Sequence, residues 1–315
     1  MAETIAILSQ KGGTGKTTVT RSLAEGLRLA GLDVLTVDAD PQGNLSEYYG
    51  IPADAFPTLG EVLTGTESAL EAVHSGVIPA NLGLAEAELI LAGRMGRELT
   101  MRNALRDIAP NYDVILIDCP PTLGLLTVNA LVAADHAILS TEAEHFSQQG
   151  AEQAVEVIGL ARENLNPDLR VLGVLLNIAD MRTKHARQTL EGLRQQYGEL
   201  VFETVIRRSI AYPESARAAK TIFEFDRKRS IDYARLTEEV LGRLGQEGAR
   251  TKALATIASL EPRAARPAHR GEGERKRVAP MEGKGRPAIV SSEWAWVEAD
   301  DRAGSPAPRD SGSLR

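Results

Sequence analysis

Lys11-Gly12-Gly13-Thr14-Gly15-Lys16-Thr17-Thr18 decides the reading of this chain. It follows an apolar run, Ile5-Ala6-Ile7-Leu8, suited to a buried strand. It precedes Val19, Leu23, Leu27 and Ala30, spaced along one face of a helix. A strand, a glycine-rich turn and a helix opening on Lys-Thr form the context of a phosphate-binding loop. The glycines let successive backbone N–H groups converge on one anion, and the helix N-terminus adds partial positive charge there. Lys16 is placed to reach the β- and γ-phosphates, and the Thr17 hydroxyl to ligate Mg²⁺.

Two further blocks extend this pattern. Val34–Val37 runs into Asp38-Ala39-Asp40-Pro41-Gln42-Gly43-Asn44, a strand stopped by a Pro/Gly turn. Asp38 and Asp40 alternate past the strand end, the edge where ligands bind in open α/β sheets. Val114-Ile115-Leu116-Ile117 ends in Asp118-Cys119-Pro120-Pro121, and its carboxylate resembles that of a Walker B strand, which holds the Mg²⁺ shell. Each Asp-ended strand alone is commonly a turn or a helix cap. The joint signal comes from their order and spacing.

The 315 residues allow one or two domains, and a hydrophobic content of 43% supports a sizeable core. A net charge of −7 excludes a globally basic nucleic-acid binder, so any DNA affinity needs a local patch. The single cysteine excludes an intramolecular disulfide and fits a reducing compartment. The five histidines have no zinc-like spacing. The first residues lack a basic region before an apolar run, and no run approaches the length of a membrane span. A cytoplasmic location is expected.

Strand-like and helical stretches alternate, which predicts an α/β fold: a doubly wound, mainly parallel sheet flanked by helices. Strands are expected at 4–9, 33–38, 82–85, 113–118, 136–140, 170–177 and 201–206. Helices are expected at 16–30, 87–108, 124–133, 147–164, 183–197 and 231–244. The folded domain is taken as residues 1–245. Residues 246–315 are read as a Pro/Gly/charge-rich, disordered tail, with too few aliphatic residues from Glu261 onward to offset ordering. Trp294 and Trp296 beside Glu293 and Glu298 resemble a short partner-docking motif, although an unselected tail is the favoured reading.

Lys11, a second lysine at the loop's entrance, completes a resemblance to the ParA/MinD family of ATPases with a deviant phosphate-binding loop, ParA-type (Soj-like) partition proteins most closely. The resemblance covers roughly residues 3–244. It extends to Ile138–Phe146, Val174–Asn177 and Asp180–Thr183. It implies a P-loop fold binding ATP and Mg²⁺, and a homodimer formed on ATP with nucleotides between the subunits. Lys11, Lys16 and Asp40 are the implied catalytic residues, with Lys11 reaching the partner's phosphates and Asp40 orienting or deprotonating the attacking water. Thr17, Asp40 and Asp118 are the implied metal residues. Nucleotide contacts are implied at Lys11, Gly12, Gly13, Thr14, Gly15, Lys16, Thr17 and Thr18. Asn177 would read the adenine edge and Pro213 flank its ring. The Pro-Arg pair usual after the late strand is replaced by Arg207-Arg208.

From Arg182 to Arg229 the acidic balance reverses, with eleven basic residues against six acidic ones. Relatives bind non-specific DNA through this part of the dimer, which nominates Arg182, Lys184, Arg187, Arg207, Arg208, Arg217 and Lys220. The implied function is a weak, nucleoid-associated ATPase that partitions or positions a plasmid, chromosome or other cargo. A ParB-type or other cargo adaptor would stimulate it. No helix-turn-helix extension precedes the first strand, so operator binding is not expected. The alternative is a MinD-like membrane-cycling regulator, which would need a C-terminal amphipathic helix; Ser311–Arg315 does not supply one. An iron–sulfur carrier would need two cysteines per subunit. A metabolic P-loop ligase would show fast turnover without DNA or partner.

Overall fold

The computed structural model describes residues 2–9, 11–143 and 147–261. Expectations for Glu144–Phe146 and for the tryptophan segment fall outside these residues. Six strands form one sheet: β1 (Glu3–Leu8), β2 (Val34–Asp38), β3 (Val77–Ile78), β4 (Val114–Asp118), β5 (His136–Glu142) and β6 (Arg170–Asn177). Their order is β3-β2-β4-β1-β5-β6, and every pairing is parallel. The helices are α1 (Lys16–Leu29), α2 (Asn44–Tyr48), α3 (Leu59–Thr64), α4 (Gly83–Ala92), α5 (Thr100–Arg106) and α6 (Leu125–Ala133). They continue as α7 (Ser147–Asn164), α8 (Lys184–Tyr197), α9 (Ala211–Arg217), α10 (Ile222–Phe225), α11 (Ser230–Arg243) and α12 (Glu247–Leu260).

Strand periodicity sorts the core into two layers. On β1 and β4, Ala6, Leu8, Ile115 and Ile117 face the layer of α3 to α7, packing with Leu84, Met101 and Leu126. Ile5, Ile7, Val114 and Leu116 face the opposite layer, packing with Val19, Leu23 and Leu27 of α1 and Leu236 and Val240 of α11. A third cluster joins β6 to α7 and α8 through Leu176, Ala154 and Leu193. A sheet covered on both faces explains the near-continuous apolar strands. Each buried Leu or Ile stabilises the fold by about 1.5–3 kcal/mol relative to exposure.

Four expectations are corrected. Residues 82–85 are not a strand: the Asn81 side chain accepts from the Gly83 amide at 2.9 Å and opens α4, while the edge strand is Val77–Ile78. The single helix expected over 87–108 breaks at Gly93 and at Gly96, whose φ is +68°. Asn129 fastens the broken segment by accepting from Met101 N at 3.1 Å and donating to Arg97 O at 2.9 Å. Residues 201–206 form no strand: they meet β6 through an isolated bridge, Val174 with Val201, and through the amides of Phe202 and Ile206, which donate to Val174 O at 2.9 Å and Leu176 O at 3.1 Å. The amides of Glu203 and Thr204 donate instead to Glu239, at 2.8 and 3.0 Å, which turns the segment's middle away from the sheet. Finally, order does not stop at residue 245. Helix α12 buries Ala249 and Ala253 in the α1/α11 layer, and Arg250 pairs with Glu238 at 2.6 Å. Its small residues hid that face from a hydrophobicity reading.

Helix α1 must lie close to α11, because a Cβ on Gly26 would fall 2.0 Å from Thr237 Oγ1. Thr237 cannot rotate freely, since its hydroxyl donates to Tyr233 O at 2.8 Å. Gly26→Ala should therefore cost about 1–3 kcal/mol of stability through overpacking. Adding Thr237→Ala should return part of that loss, and denaturant midpoints of the single and double variants provide the measurement. Among the described residues, no helix is long and apolar enough to cross a membrane.

Candidate functional site

The carboxyl ends of β1, β2, β4 and β6 converge on one cavity of about 650 Å³. Gly12, Gly13, Gly15, Lys16, Thr17 and Thr18 line one part of it. Asp40, Gln42, Asn44 and Tyr48 line another, with Asn177, Ile178, Arg208, Tyr212, Pro213 and Tyr233 opposite. The position at the ends of parallel strands is the ligand crevice of open α/β sheets.

The loop is held from below. Ser9 Oγ donates to Lys11 O at 2.8 Å and, its one proton spent, accepts from Thr14 Oγ1 at 2.5 Å. Gly13 and Gly15 have φ of +83° and +73°, values that favour glycine. Gly15 is also sterically required: a Cβ there would lie 2.8 Å from Asn177 Nδ2. Asn177 is buried, donating to Thr14 O at 2.7 Å and lying 3.4 Å from Ser140 Oγ, while its Oδ1 accepts from Ile178 N at 2.9 Å. The amide expected to read an adenine thus braces the phosphate loop. Lys16 is buried, whereas Lys11 is exposed and is not among the lining residues.

Three carboxylates stand beside the loop. Asp118 is buried and accepts from Thr17 Oγ1 at 2.7 Å and Thr20 Oγ1 at 3.1 Å. Burial pushes its pKa up to about 6, against the lowering effect of Lys16 and the two hydroxyls. Asp38 neighbours it across the β2–β4 register and accepts from the Ser46 amide and hydroxyl at 2.8 and 2.7 Å. Burial first, then the charge of Asp118, raises Asp38 to about 7. Asp40 lines the cavity, with Oδ1 fixed by the Gln42 amide at 3.0 Å. Thr20 and Ser46 were missed in the sequence; Thr20 could have been found three residues after Thr17, on the same side of α1.

The arrangement fits a phosphate ester and a hard divalent cation. Glycines leave Gly12 and Gly13 open to an anion, since a Cβ on either would meet no atom within 4 Å. Thr17 and Asp118 offer oxygen donors suited to Mg²⁺. No cluster of three or more His, Cys, Asp or Glu suited to a metal occurs among the described residues. The remaining ligands would therefore come from phosphate and water. Cys119 follows Asp118 and is wholly buried, which pushes its thiol pKa up.

The DNA candidates divide. Arg207 grips the buried Asp232, with Nη2 at 2.6 Å and Nε at 2.9 Å, and so anchors the 201–207 segment to α11. Arg208 lines the cavity beside Tyr212. Arg182 folds back on Asp180 at 2.8 Å. Lys184, Arg187, Arg217 and Lys220 are exposed.

Because Asp38 binds its proton more tightly when folded than its ordinary 3.8, the fold carries extra proton between that value and about 7. Its contribution to stability is full below 3.8 and is lost as pH rises through about 7. Wild-type minus Asp38→Asn melting temperatures, taken without metal, should fall across this window as pH rises. A difference independent of pH would contradict the assignment.

A family profile described as an AAA domain matches residues 2–171. The chain is 37% identical over 249 residues to the sporulation initiation inhibitor protein Soj of Bacillus subtilis, covering 76% of this chain and 98% of that protein. It is 37% identical over 250 residues to the chromosome partitioning protein ParA of Caulobacter vibrioides, covering 76% and 94%. The solved structure of cobyrinic acid a,c-diamide synthase from Mycobacterium smegmatis, with bound ADP and magnesium, is 35% identical with a TM-score of 0.66, covering 77% of this chain and 97% of that one.

Proposed function

Since the chain belongs to the ParA/Soj family of P-loop ATPases, we propose that it is an ATP-controlled dimerising switch that binds non-specific DNA and is discharged by a partner protein to move cargo. The observation that carries this reading is one phosphate cradle with a lysine at each end, one buried and one exposed.

Phosphoryl transfer needs positioning and charge neutralisation more than covalent chemistry. Lys16 and the loop amides hold the transferring group, and the Asp40 carboxylate can accept a hydrogen bond from a water in the same cavity. Mg²⁺ bound through Thr17 and Asp118 would supply further neutralisation. Lys11, exposed at the loop's entrance and not among the residues lining the cavity, suits phosphates bound by a second protomer. An ammonium lacks the planar fork of an arginine finger, so turnover should be slow and suited to timing. Pro213 and Tyr212 would flank the base from α9.

Exposed Lys184 and Arg187 share a face of α8, while Arg217 ends α9 and Lys220 follows it. Doubling such weak phosphate contacts by dimerisation would make DNA affinity depend on ATP. The synthase name of the mycobacterial structure favours a second reading, a metabolic ATP-dependent enzyme; rapid turnover without DNA or partner would support it.

Sedimentation with a slowly hydrolysed ATP analogue is the direct test. Wild type should form dimers and Lys11→Ala should stay monomeric, with loss of nucleotide-dependent DNA binding. The wild-type DNA affinity should fall with salt, at a slope near −0.9 per phosphate contacted. Equal DNA binding with and without nucleotide would refute the switch.

A further inference from the structure

Arg21 lies on α1 just past the phosphate loop and is only 8% exposed. Burying a guanidinium is costly unless its donors are paired. Here Nη2 alone has an acceptor, Ala219 O at 3.1 Å, while Nε and Nη1 are buried without a hydrogen-bond partner among the described residues. Glu25 and Glu224 act on it only as neighbouring charges, and burial lowers its pKa. The cation instead sits 5.9 Å from the Tyr48 ring and 5.4 Å from the Tyr49 ring. An apolar side chain would fill the same volume at lower cost, so simple packing does not account for the residue.

Its contacts lead to opposite walls of the cavity. Tyr48 lines the wall that carries Asp40, Gln42 and Asn44. Ala219 closes α9, whose Tyr212 and Pro213 line the other wall. Ala219 has a φ of +49°, a left-handed backbone that a non-glycine residue holds only when its surroundings fix it. The bond from Arg21 to its carbonyl is one such constraint. Arg21 itself is not among the residues lining the cavity.

From these contacts we infer that Arg21 is a positioning residue, tying Tyr48 to the end of α9 and thereby setting affinity for the nucleoside half of the bound nucleotide. This rests on the nucleotide reading proposed above. The phosphate end is fastened separately, by Ser9, Thr14 and Asn177. Loss of Arg21 should therefore loosen the grip on the nucleoside and spare the grip on phosphate.

The test uses the full chain, with Mg-ATP and Mg-tripolyphosphate as ligands. Arg21→Met should raise KM for ATP about tenfold with kcat within about twofold of wild type, the mark of lost uniform binding. Tripolyphosphate affinity, by calorimetry, should stay within about twofold. Arg21→Lys keeps a cation near the rings but loses the fork, and should raise KM about threefold; it serves if the Met variant does not fold. An unchanged KM, or equal weakening of ATP and tripolyphosphate, overturns the inference. Wild-type chain that binds neither ligand would remove the nucleotide reading as well.

Discussion

Lys16→Ala should nearly abolish ATP turnover, lowering kcat on the order of 10²–10³, the scale of removing one preorganised group that stabilises developing charge. Lys16 is buried at the start of α1 and lines the cavity beside the glycines of the loop, so its loss removes the cation set at the phosphate end. The substitution carries a second signature. Lys16 is the largest influence drawing the Asp118 pKa down against burial. Without it that pKa should rise further above about 6. The metal-free variant should then gain more stability than wild type as pH falls, because the fold takes up more proton. Phosphate release assays measure the first effect, and melts across pH measure the second. Wild-type turnover in this variant would mean that chemistry occurs elsewhere.

Arg207→Ala should destabilise the fold by about 2 kcal/mol, an amount reduced from the cost of breaking a fully buried pair because half of the arginine side chain meets water. Asp232 is left buried with only the backbone amide of residue 207, at 3.2 Å, as a donor from that segment. Arg207→Met should behave alike, since the loss comes from the carboxylate. Chemical denaturation measures it, and DNA affinity at a temperature where the variant remains folded separates a structural part from a DNA contact. A variant as stable as wild type but defective on DNA would restore the expectation drawn from the basic cluster.

The phosphate loop was legible because its chemistry is local: glycines, a lysine and a hydroxyl at fixed spacing between a strand and a helix. The strand-end carboxylates were legible for the same reason. What escaped depends on partners distant in sequence. Arg207 and Arg208 are indistinguishable as letters, yet one meets Asp232 from α11 and the other faces the cavity. Asn177 stood out at a strand end, but its bond to Thr14 spans 163 positions. Residues 201–206 carry a strand's composition, and Glu239 diverts the amides of Glu203 and Thr204. The break within 87–108 was visible in Gly93 and Gly96, but helical composition around them outweighed it. Tyr48 and Tyr233 carry no motif, and only the fold brings them to the cavity.

Cys119 is the chain's single thiol, and it sits next to the Walker B aspartate beneath solid packing. A thiol reagent therefore has one target, sealed while β4 keeps its neighbours. Its labelling rate becomes a clock for how often this part of the sheet breathes. Ligands that tighten the loop above it should slow that clock, without any engineered probe.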